Sequence, residues 1–395
     1  MPAAKPVHAH DDAVDEPGAA DPGTGGFSDL VVFSHLRWPW VWQRPQHLIS
    51  RIGAGRRVWF VEEPWPSDVS APELRTEEHG GITRIWLAVP DEGRDVGFEE
   101  GVLPAYAEGL PEVLDACEDV VAWLYSPLAL ELATSLDPLV LVYDVMDDLS
   151  SFLDAPRQLV LRHRQALHRA DVVTAGGRTL HQGVLPHRPD AHLFPSGVEP
   201  EHYERARDLR VERPRPVAGY VGVVDERLDL DLIAGIAAAL PEWDLHVVGP
   251  VAKIDQADLP TAANLHYLGS RPYDELPEVM GGFDVALMPF ALNEATRSIS
   301  PTKTLEYLAA GLPVVATRVG DVVSAFGTVV DLQDDAQGFA SACREVLHHD
   351  LSDRDRKLRP LLFANHWDTI ASEMASLVAE ALAPTAEVAD TEASA

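Results

Sequence analysis

Short apolar runs separated by helical patterns constrain the fold of this chain more than any other feature. In the first half they are DLVVFSH (29–35), RRVWFVEE (56–63), ITRIWLAVP (82–90), VVAWLYSP (120–127), LVLVYDV (139–145) and ADVVTAGG (170–177). The second half repeats the style with PVAGYVGVV (216–224), DLHVVGP (244–250), NLHYLGS (264–270), DVALMPF (284–290), PVVAT (313–317) and GTVVDL (327–332). These runs are rich in Val, Ile and Leu and do not alternate with polar residues. Strands covered on both faces have that composition. Helical segments between them give βαβ units, so the pattern predicts an α/β chain with two parallel sheets. Around residues 196–216 Gly, Pro and dense charge combine into a linker-like composition. Two sheets so joined place a ligand in the crevice at the carboxyl ends of their strands.

One segment on that crevice carries the chemistry, SISPTKTLEYLAAGLPVVAT at 298–317. Ser300 reads as an N-cap and Pro301 as the first helical residue. Lys303 then falls in the first turn, where the helix dipole favours an acid; the mismatch costs ~0.3–1 kcal/mol at an exposed end. It makes sense if an outside anion sits there, held by free backbone N–H groups, the Ser300 and Thr302 hydroxyls and the Lys303 ammonium. Glu306 lies on the same helix face. A carboxylate beside a phosphate site suits the hydroxyls of a ribose, so the segment suggests a nucleotide diphosphate. The alternative is an ordinary buried helix, ended by Gly311 and Pro313.

The formal net charge is −32 over 395 residues. That argues against nucleic acid and against simple docking on anionic lipid. It does not exclude an anionic nucleotide, because exposed charges are screened beyond ~8 Å at physiological salt. Lysine occurs only at positions 5, 253, 303 and 357, so one of four stands at the proposed anion site. No run reaches the ~18 apolar residues of a membrane span, and the first residues lack a signal-peptide core. A cytoplasmic location is expected. Cys117 and Cys343 fit no metal or redox spacing. Residues 1–26 and 384–395 have the composition of disordered tails.

Other candidates follow strands of the first half. In HLRWPWVWQRPQHL (35–48), His35, Arg44, Gln46 and His47 are polar groups suited to an acceptor, and Trp38, Trp40 and Trp42 offer flat faces to sugar rings. The alternatives are a structural His35 and Trp residues that fill a core edge. In LVYDVMDDLSSF, Asp144 is placed to bond a reacting sugar or acceptor hydroxyl, while Asp147 and Asp148 also suit a helix start. Asp229 and Asp231 spell Asp-x-Asp, but open an apolar helical run and read as a helix start. No HExxH, paired CxxC or GxxxxGK[ST] motif appears.

Taken together, SPTKTLEYLAAGLPVVAT, FPSGVEPEHY, VAGYVGVVDERLDLDLI and HYLGSRPYDELPEVMGGFDVALMPF resemble the family 4 glycosyltransferases of the GT-B fold, most strongly over residues 196–370. VVFSHLRWPWVWQRPQHLISRI is similar to a bacterial subgroup that includes enzymes of teichuronic acid and other cell-surface glycan pathways. The resemblance implies two Rossmann-like domains facing across a cleft: an acceptor domain (27–195) and a nucleotide-sugar donor domain (196–365). HWDTIASEMASLV resembles the helix, 366–383, that crosses back to the first domain. The resemblance implies Glu306 on the ribose, with Ser300, Thr302, Lys303 and Arg227 on the diphosphate and Arg271 bordering the base. It departs at Ser298, where the family carries a second Glu; Glu294 is the candidate to take over contact with the donor sugar. A His after such a strand serves as base in inverting GT-B enzymes, which concerns His35.

The expected activity is sugar transfer from a nucleotide diphosphate sugar to a glycan or lipid-linked acceptor. It is metal-independent, uses no other cofactor, and retains anomeric configuration, the last by resemblance alone. Asp144, Glu294 and Lys303 are the catalytic candidates. A transient contact with the inner membrane face would follow from a lipid-linked acceptor. The rivals are a nucleotide-sugar epimerase on the same fold, a catalytically inactive sugar-nucleotide or glycan-binding protein, and a scaffold without ligand.

Overall fold

The computed structural model describes residues 26–40, 42–91, 97–147, 157–211, 213–297, 302–348 and 352–383. Among these, nine strands form a first sheet and six a second. The first contains β1 (Asp29–Ser34), β2 (Arg57–Glu62), β3 (Trp65–Ser67), β4 (Glu73–His79), β5 (Ile82–Pro90), β6 (Val120–Leu124), β7 (Val140–Val145), β8 (Val172–Ala175) and β9 (His192–Leu193). Their order is β3-β5-β2-β1-β6-β7-β8-β9, with β4 antiparallel on β5 and the other pairings parallel. The second contains β10 (Val217–Val221), β11 (Asp244–Val248), β12 (Leu265–Gly269), β13 (Val285–Met288), β14 (Val314–Ala316) and β15 (Asp331–Leu332). It is parallel throughout, in the order β12-β11-β10-β13-β14-β15.

The continuous apolar strands now have a physical reason. In β1, Val31 and Phe33 join a core on one face, with Tyr106, Leu110, Ala166 and Leu180 from helices. Leu30 and Val32 join a core on the other, with Leu48, Ile49, Trp367 and Met374. Both faces are thus dry, and alternation would bury polar groups. The helix Trp367–Leu382 takes part in that second core and packs on the helix Arg44–Ile52, so the end of the described chain lies on the first sheet. β3, β4 and β9 were not among the sequence-predicted strands. β4, with the sequence ELRTEEH, is a charged, mostly exposed edge strand, the kind of edge that resists pairing with another molecule.

The chain reverses strand order at β1 in the first sheet and at β10 in the second. The carboxyl ends of both strands are therefore topological switch points, where such sheets take ligands. The lobes also touch directly. Asp321, buried in the first turn of the helix Gly320–Phe326, accepts from the Arg178 N–H (3.0 Å), the Thr179 N–H (3.3 Å) and the Thr179 hydroxyl (2.8 Å). It thereby caps the helix Arg178–Val184 of the other lobe.

Candidate active site

The helix Thr302–Ala309 follows β13 and packs its Thr304, Leu305, Leu308 and Ala309 inward. Lys303 and Glu306 stay on its wetter side, where Lys303 Nζ lies 3.2 Å from Glu306 Oε2. Glu306 is only 13% exposed. The Lys303 chain runs past Gly222, just beyond β10: a Cβ there would stand 3.2 Å from Lys303 Cε and 2.6 Å from the Tyr220 hydroxyl. A side chain at 222 would therefore push the lysine away from the carboxyl edge of the sheet. Thr302 opens the helix and is half-buried. Ser298, Ser300, Pro301 and Asp148 lie outside the described residues.

Arg227 sits in the loop after β10. Asp225, buried behind it, accepts from Arg227 Nε (2.9 Å) and Nη2 (2.6 Å). Burial disfavours the guanidinium charge, but the bonds to Asp225 outweigh this and raise its pKa. Among the described residues, Nη1 has no protein partner. Asp225 thus fixes a cation whose remaining donors are available to an anion. Arg271 is exposed just after β12, and Glu294 is exposed at the start of the short helix Glu294–Arg297 after β13. Asp229 accepts from the Leu232 N–H at 2.8 Å as an N-cap, with Asp231 in the first turn, so the Asp-x-Asp is a helix start.

Across the gap, His35 follows β1, and its Nε2 stands 3.9 Å from Asp147 Oδ2 at the end of β7. Burial works to raise the Asp147 pKa; the nearby His35 imidazole and the fields of Arg227 and Lys253 overcome it and hold the carboxyl below its usual range. Asp147 of one lobe therefore feels the Arg227 and Lys253 cations of the other.

Four sequence candidates are corrected, because the fold already uses their polar atoms. Asp144 is fully buried and Arg44 2% exposed; they form a two-pronged pair, with Nε and Nη2 each 2.9 Å from a carboxylate oxygen. Thr174 donates to Asp144 (2.8 Å) and Arg44 Nη1 to the Phe194 carbonyl (2.8 Å). No valence there faces an acceptor. Gln46 accepts from the Gln43 N–H (3.0 Å) in a capping box and donates to the Arg37 and Trp38 carbonyls. His47 is buried, stacked on Trp367 at 4.8 Å. Of the tryptophans, Trp38 is core against Phe60, while Trp40 is 55% exposed.

His47 Nδ1 accepts from Trp42 Nε1–H (3.1 Å) although Glu199 Oε2 stands 3.6 Å away. An accepting Nδ1 carries no proton, so the ring is neutral and the Glu199 contact is not an ion pair. Burial, helped by Arg51, His202 and Lys303, pulls its pKa to about 3. A base with a depressed folded pKa gives full stability above its unfolded value, ~6.5, and loses it as pH falls toward 3. Unfolding by urea at pH 7.5 and 5.0 is expected to show about 2 kcal/mol of loss from this residue, which His47→Gln should remove. An unchanged pH difference in the variant would contradict the buried neutral ring.

Sequence reasoning missed Asp225, Glu199 and Asp321. Asp225 alone had a local signal, an acid two residues before a lone arginine. The others matter through partners 70 or more residues away.

Two parallel-sheet lobes meeting at their carboxyl edges define the GT-B fold. An E. coli structure described as trehalose-6-phosphate bound with UDP-2-fluoro glucose superposes with a TM-score of 0.65 at 15% identity, covering 89% of this chain and 99% of that one. Residues 215–349 match the family model described as Glycosyl transferases group 1. A Bacillus subtilis strain 168 protein, TuaH, assigned provisionally as a teichuronic acid biosynthesis glycosyltransferase, is 29% identical over 184 residues. That match takes in 43% of this chain and 46% of TuaH, so the chain spans about half of that relative's length. The 2-deoxystreptamine N-acetyl-D-glucosaminyltransferase of Streptomyces fradiae is 28% identical over 373 residues, 87% of this chain and 82% of that protein.

Proposed function

We propose that this chain is a glycosyltransferase. It moves a sugar from a nucleotide diphosphate sugar to a glycan or lipid-linked acceptor, with retention and without a metal. The placement of Lys303 carries the reading. It is a cation in the first turn of a helix, lying over Gly222 at the carboxyl edge of the second sheet, with Glu306 one turn on. As the glycosidic bond breaks, charge grows on the leaving diphosphate. Lys303, Arg227 and the helix N–H groups stabilise it, and a fixed donor of that kind supplies ~3–4 kcal/mol. Glu306 orients the nucleotide through the ribose. The domain match and the relatives' names support the class; the likeness to TuaH supports an envelope glycan as acceptor. Among the described residues no helix is long and apolar enough to cross a membrane. A cytoplasmic enzyme meeting a lipid-linked acceptor at the inner membrane face is consistent with that.

The test offers purified protein UDP-, GDP- and TDP-sugars with EDTA present. One of them should raise the melting temperature by a few degrees at ~100 Kd and turn over slowly by hydrolysis. No stabilisation by any nucleotide would count heavily against the reading. One observation favours a second stereochemistry: Asp147 lies beside His35 Nε2, an arrangement suited to orienting a base for inversion. The anomeric configuration of the first product by NMR separates the two.

A further inference from the structure

The second sheet opens beside the helix that carries Lys303 and Glu306. β10 and β13 pair only at Ala218↔Val285 and Gly219↔Ala286, although β10 runs on to Val221 and β13 to Met288. On its other side β10 stays paired with β11 as far as Val221↔Val248. The Gly222 N–H donates to the Val248 carbonyl (2.9 Å) and so faces β11. Val221 turns its own N–H and C=O the other way, toward the opening. One side chain meets both. The Val221 N–H donates to the Tyr307 hydroxyl oxygen (2.8 Å), and that hydroxyl donates to the Val221 carbonyl (3.1 Å). Tyr307 is fully buried. Its oxygen satisfies two buried backbone groups that β13 no longer reaches.

This clip joins two elements that the donor site needs. Tyr307 follows Glu306 on the helix Thr302–Ala309, whose first turn holds Lys303. Val221 is the last residue of β10. The loop that springs from it passes Gly222 and reaches Arg227, with the Tyr220 hydroxyl donating to the Val223 carbonyl (3.0 Å) on the way. Lys303 thus stands on one side of the clip and Arg227 on the other. We propose that Tyr307 is a positioning residue for the donor: its hydroxyl sets the spacing between the helix and the strand end, and so between two cations that grip one diphosphate. The inference rests on reading that helix end as the diphosphate site. A ligand held by one element moves with it and is indifferent to the spacing. A ligand that bridges both is not.

The experiment is a double-mutant cycle followed by calorimetry, with UDP, GDP and TDP as probes. It compares the full chain with Tyr307→Phe, Arg227→Ala and the double variant. Phe keeps the ring and removes only the hydroxyl, and circular dichroism melts establish which variants are folded. In the parent, Tyr307→Phe should weaken the nucleotide that binds best about tenfold. In the Arg227→Ala background the ligand no longer bridges, and the same change should cost less than about twofold. Equal losses in both backgrounds would make the hydroxyl merely structural and overturn the proposal. Unchanged binding by Tyr307→Phe would overturn it too, while leaving the donor site intact. Should Tyr307→Phe not fold, or Arg227→Ala bind too weakly to measure, amide exchange in the parent supplies the test. Coupling is reciprocal, so saturating nucleotide should slow exchange at the Val221 N–H about tenfold, and much less at the Leu245 N–H toward the amino end of β11. An unchanged rate at Val221, or equal slowing of both, would overturn the proposal. A parent that binds none of the three nucleotides would instead sink the donor-site reading, and this inference with it.

Discussion

Lys303→Ala should lower donor turnover by about 10²–10³-fold, the usual effect of removing one fixed charge partner of a developing anion, while leaving the fold almost as stable. The two effects separate because the lysine contributes little to the folded state. Its pairing with Glu306 is an i,i+3 contact on a partly exposed helix face, worth about 0.2–0.5 kcal/mol. Losing it is partly offset by removing a cation from the positive end of the dipole. Lys303→Glu should be worse for turnover, since it sets an acid beside both Glu306 and the incoming diphosphate. Hydrolysis rates and melting temperatures for the two variants check this. A parallel fall in melting temperature and rate would mean that Lys303 is structural; an unchanged rate would mean that the diphosphate sits elsewhere.

The second large effect is on stability. Asp144→Ala should destabilise the protein by about 3–5 kcal/mol, because it strands the Arg44 guanidinium in the core of the first lobe with no counter-charge. The pair as a pair is worth far less. An Arg44→Met, Asp144→Leu double variant of similar volume should recover most of the loss, since the desolvation cost of both charges disappears with them. Urea titrations of the single and double variants measure it. If Asp144→Ala were as stable as the parent but slow, the residue would belong to the reaction after all.

These two residues show what could be read from the chain alone. Lys303 and Glu306 stood out in the sequence because their signal is local: a helix start, a wrong-signed first turn and an i,i+3 spacing all lie within ten residues. The sheets were legible for a similar reason, since β1, β6 or β14 needs only a run of apolar residues to declare that both of its faces are covered. Arg44, Gln46, His47 and Asp144 were misread because a polar residue after a strand looks the same whether it faces a cleft or a partner. Arg44 meets Asp144 a hundred positions on, and His47 meets Trp367 on the last described helix. β4 escaped because an exposed, charged edge carries no apolar period. The contacts of Glu199 with Tyr273 and Arg51 escaped because each joins segments that only the packing of the chain brings together.

The most direct measurement is the structure of the protein with the nucleoside diphosphate that stabilises it most. The account predicts the phosphate oxygens at the amino end of the helix Thr302–Ala309, within hydrogen-bond reach of Lys303 Nζ and the free edge of Arg227, and the ribose hydroxyls on Glu306. A nucleotide seated elsewhere, with the contact between Lys303 and Glu306 closed and undisturbed, would contradict it.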